Sequence, residues 1–143
     1  MRKVATARMW GWCRYRWYGG AASGGAAQID MTFRVADPWA VGMVIAMPGH
    51  ESAALVLERN MLIAAQVRRV DGGGDVVMQP VGNIGLQINL TSPNGEISLL
   101  IPEAGVARFL RRTYNLVPIG DEPRHVDWDG WLTQLVGPQG GAA

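Results

Sequence analysis

The chain reads as an α+β domain: an antiparallel or mixed β-sheet of about seven strands with a C-terminal pair of helices. Three observations predict it. Apolar and polar residues alternate with period two through several short segments, as in strands with one buried and one wet face. Gly, Pro and Asn punctuate those segments at hairpin spacing. Helical periodicity comes late, where Val106, Phe109, Leu110 and Tyr114 fall at i, i+3, i+4 and i+8.

In chain order, residues 9–17 alternate, with Met9, Gly11, Cys13, Tyr15 and Trp17 on one side. Trp10, Trp12, Arg14 and Arg16 fall on the other, so the segment reads as a strand or a loosely ordered arm. Residues 19–27, GGAASGGAA, read as a small-residue linker. Residues 1–28 are therefore expected to form a basic aromatic arm plus linker, residues 29–137 the folded domain, and residues 138–143 a disordered tail. Met31, Phe33 and Val35 alternate, Asp37-Pro38 marks a turn, and Val41, Met43, Ile45 and Met47 alternate again. Pro48-Gly49 turns the chain into a strand carrying Ala53, Leu55 and Leu57. Residues 58–66 are free of Gly and Pro and rich in helix formers, so they predict a short helix. Val76 and Val77 begin an extended stretch that Pro80 ends.

Ile84, Leu86, Ile88 and Leu90 alternate, as do Ile97, Leu99 and Ile101, and Asn94-Gly95 between them suits a tight turn with positive φ. Residues 84–91 and 96–101 thus predict one hairpin. Pro102 opens the first late helix at the position proline tolerates best, and Pro118 ends it. A last helix starts at Asp127 and repeats the stripe with Trp128, Trp131, Leu132, Leu135 and Val136.

The triplet Gly72-Gly73-Gly74 poses the first chemical question. A phosphate loop needs a basic residue and a helix N-terminus behind its glycines. Here Asp75 follows, then β-branched residues, and no helix opens. The triplet is read as punctuation between strands.

Composition narrows the classes. Hydrophobic residues make up 48% and charged residues 17%, a low charge content that points to self-association. Cys13 is the single cysteine, so no intramolecular disulfide forms, which fits a reducing, cytoplasmic setting. His50 and His125 have no ligand-spaced partners, and no metal or cofactor is expected. The longest apolar run, residues 39–47, is about half of the roughly 18 residues a span requires. Arg8, Arg14 and Arg16 interrupt any export signal. Residues 1–20 hold five basic side chains and no acid, while the remainder holds 8 basic and 12 acidic ones. The mildly acidic body argues against a nucleic-acid surface there. The basic aromatic start suits base stacking or, through residues 8–18, peripheral membrane contact.

No constellation supports catalysis. His50-Glu51-Ser52 are adjacent in a turn, whereas catalytic groups converge from distant positions. Asp121, Glu122, Asp127 and Asp129 read as carboxylates favoured at a helix N-terminus. Arg108, Arg111 and Arg112 lie off the apolar stripe, with Arg108 and Arg112 sharing a face, and are the candidate docking surface for an acidic partner. Trp39 is the candidate aromatic anchor.

Five blocks, in order, resemble a known family. They are ADPWAVGMVIAM beside DPYAV, LVLERNML beside W.FARDLL, GGGDVVMQP beside G.GDV.V.P, INLTSPNGEISLLIP beside L.SP.GEA...P, and FLRRTYNLVPIGDE beside FL.RT..LVP.G.E. Together they resemble the SsgA/SsgB-like proteins, actinobacterial regulators of sporulation-linked cell division. The resemblance runs from about residue 31 to 136; the aromatic start and Val56, near the place of a family tryptophan, depart from it. It implies a non-enzymatic regulator, cytoplasmic and recruited to the septum. Such a protein would act by protein contact on the tubulin-like division protein FtsZ or other septal proteins, and would form homotrimers. It also implies a fold similar to the whirly single-stranded nucleic-acid-binding fold, which keeps a nucleic-acid-binding module as the second reading.

Overall fold

The computed structural model describes residues 3–126, 128–129 and 132–133. Among the described residues eight strands form one sheet: β1 (Val4–Trp17), β2 (Ala22–Arg34), β3 (Asp37–Ala46), β4 (Ala53–Glu58), β5 (Val70–Asp71), β6 (Val76–Val81), β7 (Gly85–Ser92) and β8 (Gly95–Pro102). Helix α1 (Arg59–Ala65) lies between β4 and β5 in the chain, and helix α2 (Glu103–Leu116) follows β8. A short 3-10 turn covers Glu122–Arg124.

The sheet order is β4-β3-β2-β1-β8-β7-β6-β5, and every pairing is antiparallel. Six of the strands were legible as alternation and β6 as a β-branched stretch, which runs on through Pro80 to Val81; the eighth is the two-residue β5, too short to show a period. The short helix expected over residues 58–66 is α1, and the first of the expected C-terminal pair is α2. The last predicted helix, with Asp127, Trp131, Leu135 and Val136, lies largely outside the described residues.

The predicted linker is the largest correction. Residues 22–27 are the first half of β2 and pair with residues 11–16 of β1. Small residues stand opposite large ones there: Trp12 faces Ala26 and Arg14 faces Gly24 across the ladder. A Cβ on Gly24 would lie 3.0 Å from the Cys13 carbonyl oxygen, so glycine permits the close approach. The sheet is consequently continuous across residue 28.

Two turns also differ in detail. The chain reverses at Val35 and Ala36, and Asp37 opens β3 opposite Arg34. In the β7–β8 hairpin, neither Asn94 nor Gly95 takes a positive φ. Ser92 pairs with Gly95, leaving Pro93-Asn94 as the loop, where proline's fixed φ suits the first corner of a type I turn. Gly95 is needed for another reason: a Cβ there would lie 2.5 Å from the Arg16 carbonyl oxygen and 2.9 Å from the Trp17 ring. Gly95→Ala is expected to cost about 1–3 kcal/mol by overpacking, read as a lower urea midpoint at unchanged slope. The glycine triplet behaves as expected of a turn, with positive φ at Gly73 and Gly74 and the Gly72 N–H donating to the Val76 carbonyl at 2.7 Å.

One sheet face is covered by both helices. It presents Ile29, Met31, Phe33, Met43, Ile88 and Leu99, all buried, beneath Leu62 of α1 and Phe109 and Leu110 of α2. The buried stripe of α2 is Val106, Phe109, Leu110 and Thr113, with Tyr114 half-buried beside it. That i, i+3, i+4, i+7 spacing is what a straight helix on a sheet demands.

Candidate protein-interaction site

Helix α2 carries its arginines outward. Arg108, Arg111 and Arg112 are all exposed, as the off-stripe spacing predicts. They are not equivalent. Arg112 Nη1 donates to the Thr6 carbonyl of β1 at 2.9 Å, which ties that side chain to the sheet. Arg108 and Arg111 make no hydrogen bond or ion pair among the described residues. Trp39 lies near the start of β3 and is 39% exposed. No bond joins it to the three arginines among the described residues, so the structure presents an arginine helix face and a separate tryptophan.

Behind that helix lies a polar cluster that sequence reading missed. Arg59 is fully buried. Its Nη1 donates to the Val117 carbonyl at 2.7 Å and the Thr113 carbonyl at 3.2 Å. Its Nη2 donates to Glu122 Oε1 at 2.9 Å. The guanidinium carbon also lies 5.1 Å from the Phe33 ring centre and 5.7 Å from that of Tyr114, within cation–π range. The other Glu122 oxygen accepts the Gly120 N–H at 2.8 Å. Glu122 is therefore the buried counter-ion of Arg59, not one of four helix-capping carboxylates.

Hydrogen bonds from its own N–H, Arg59 and Gly120 hold the Glu122 carboxyl below the usual carboxylate range, against the opposing effect of burial. Burial pushes the Tyr114 hydroxyl and the Cys13 thiol up, with the nearby Arg59 charge partly offsetting the shift at Tyr114. The cluster orients the end of α2 and the Pro118–Glu122 turn; it is closed to solvent and offers no reacting group. One signal existed in the sequence: Arg59, Leu62 and Ala65 share one stripe of α1, so the arginine stands where an apolar residue belongs.

The remaining chemical candidates stay apart. His50 Nε2 lies 2.9 Å from the Tyr15 hydroxyl, and among the described residues no hydrogen bond or ion pair joins it to Glu51 or Ser52. His125 contacts Asp121 at 3.2 Å. Among the described residues no group of three or more His, Cys, Asp or Glu could hold a metal. No described helix is long and apolar enough to cross a membrane.

Comparison with known proteins locates this arrangement. The family model described as Streptomyces sporulation and cell division protein, SsgA, matches residues 27–122. The sporulation-specific cell division protein SsgB of Frankia casuarinae is 35% identical over 112 residues, covering 75% of this chain and 78% of that protein. SsgB of Streptomyces coelicolor is 35% identical over 109 residues, covering 74% and 79%. A solved structure of SsgB, whose mutations correlate with longitudinal cell division during sporulation of Streptomyces coelicolor, superposes with a TM-score of 0.70. It is 29% identical and covers 87% of this chain and 98% of its own. The crystal structure of an SsgA-like sporulation-specific cell division protein from Thermobifida fusca gives a TM-score of 0.71 at 23% identity, covering 94% and 98%, and supports the fold.

Proposed function

We propose a function from one premise: the chain belongs to the SsgA family of sporulation and cell division proteins. It serves cell division during sporulation, as its relatives' names describe for them. The finer reading is a non-enzymatic regulator that is recruited to the septum. There it localises the division machinery, FtsZ or another septal protein, or promotes its assembly by direct contact. The observation that carries the reading is family membership across residues 27–122. The exposed cations Arg108 and Arg111 on a helix anchored from behind by Arg59 support a docking role for that face. Self-association, as a homotrimer, belongs to the same reading.

Deleting the gene is expected to impair sporulation septa, and a fluorescently tagged copy is expected to mark septal sites. Normal septation and a diffuse tag would sink the proposal. Arg108→Glu with Arg111→Glu is expected to leave stability within about 0.5 kcal/mol per site, because both side chains are exposed and unbonded. Binding to the septal partner should weaken and lose salt sensitivity, measured by titration calorimetry at two ionic strengths. A folded variant with unchanged binding would move the interface elsewhere. Light scattering on the purified protein reads the oligomeric state directly.

A further inference from the structure

Among the described residues the sheet's second face carries no helix, and β1 runs through its middle. Alternate residues of β1 point out from it: Arg8, Trp10, Trp12, Arg14 and Arg16, all exposed. Trp10 is 61% and Trp12 57% exposed. They sit two residues apart on one strand, about 6.6 Å along it. On β2 the neighbours of Trp12, Arg14 and Arg16 are the small residues Ala26, Gly24 and Ala22, and that of Trp10 is Gln28; on β8 Trp12, Arg14 and Arg16 face Leu100, Ser98 and Glu96. Arg8 is held by Asp30 at 2.7 Å, whereas Arg14 and Arg16 have no bonded partner among the described residues. Both line a groove of about 630 Å³ that crosses β8 and β7, where Asn89, Thr91 and Ser98 add hydrogen-bonding side chains and Glu96, opposite Arg16, adds one carboxylate.

We propose that this face binds single-stranded nucleic acid, with bases stacked on Trp10 and Trp12 and phosphates held by Arg14 and Arg16 in the groove. Two neighbouring stacking platforms followed by two unpaired cations on one strand meet both needs of a single strand. An acidic peptide would use the cations but not the paired indoles. A duplex keeps its base faces stacked internally and cannot use the tryptophans. The acidic balance of residues 21–143 had argued against nucleic acid, but the basic start is not a separate arm: the fold places it at the centre of the sheet.

The test uses the full chain and a fluorescein-labelled oligothymidylate of about 20 nucleotides, a length that exceeds the site size of one small binding fold. Expected are binding at about 50 mM salt, quenched tryptophan fluorescence, and steep loss by about 200 mM salt. Duplex of the same length should bind at least about tenfold more weakly. Trp10→Ala with Trp12→Ala should weaken binding about tenfold or more. Arg14→Gln with Arg16→Gln should reduce the salt slope by about 1.4, two phosphates' worth for a single strand. Circular dichroism checks folding, and if the tryptophan pair unfolds, the arginine pair carries the test. Absent binding, or binding unchanged by the arginine variant, overturns the proposal. So does capture of a polyglutamate peptide in place of the oligonucleotide. Dissociation of an oligomer by the tryptophan variant, without oligonucleotide binding by the parent protein, would assign the face to a second copy of the chain.

Discussion

Arg59→Met is expected to destabilise the protein by about 3–5 kcal/mol and lower the melting temperature by about 10–15 °C. The reason is the partner left behind. Glu122 is 4% exposed and would be buried without a counter-ion, while the Val117 carbonyl would lose its 2.7 Å donor. A domain of this size has roughly 5–15 kcal/mol in hand, so the loss is a large fraction of the total. Adding Glu122→Leu to Arg59→Met should recover much of it, because an apolar pair needs no compensation. A single variant as stable as the parent would show that water reaches the cluster.

The same pair sets an acid limit. The folded Glu122 carboxyl titrates below its unfolded value, which for Glu is about 4.3. Its contribution is therefore fully present above that value and is lost as pH falls through the lower folded one. Unfolding followed by fluorescence should show stability falling below about pH 4.3, with a shallower fall in Glu122→Gln.

Phe109→Ala is expected to cost about 3–5 kcal/mol. Phe109 is fully buried on α2, where the helix crosses the inner face of the sheet. Its removal takes apolar area out of the core and leaves a cavity between α2 and the sheet. Thr113 and Val117, at the end of the same helix, are the acceptors of Arg59. The two losses should therefore be non-additive: Phe109→Ala with Arg59→Met should cost less than the sum, by about 0.5 kcal/mol or more, in urea unfolding. Strict additivity would mean that the cluster and the helix are independent.

Alternation alone located the β7–β8 hairpin, because Leu86, Ile88, Leu99 and Ile101 are buried on one face and a two-residue period has no other stable reading. The outward position of Arg108, Arg111 and Arg112 was equally readable, since helical spacing fixes which residues share a face. What was not readable came from pairing at a distance. Residues 22–27 looked like a linker because small side chains have no pattern of their own; they become strand only against the bulky residues of β1. Glu122 looked like a helix-capping carboxylate because its partner, Arg59, is 63 residues away in the chain.

By itself, then, the sequence determined the local periods and the family blocks, both of which depend on neighbours within a few residues. The tertiary structure decided where those pieces meet. It put the aromatic start at the centre of the sheet with Trp10 and Trp12 facing out, and it sealed one charged pair inside the core. Burial and charge pairing are properties of the packed chain, and no local pattern encodes which distant residue will supply the partner.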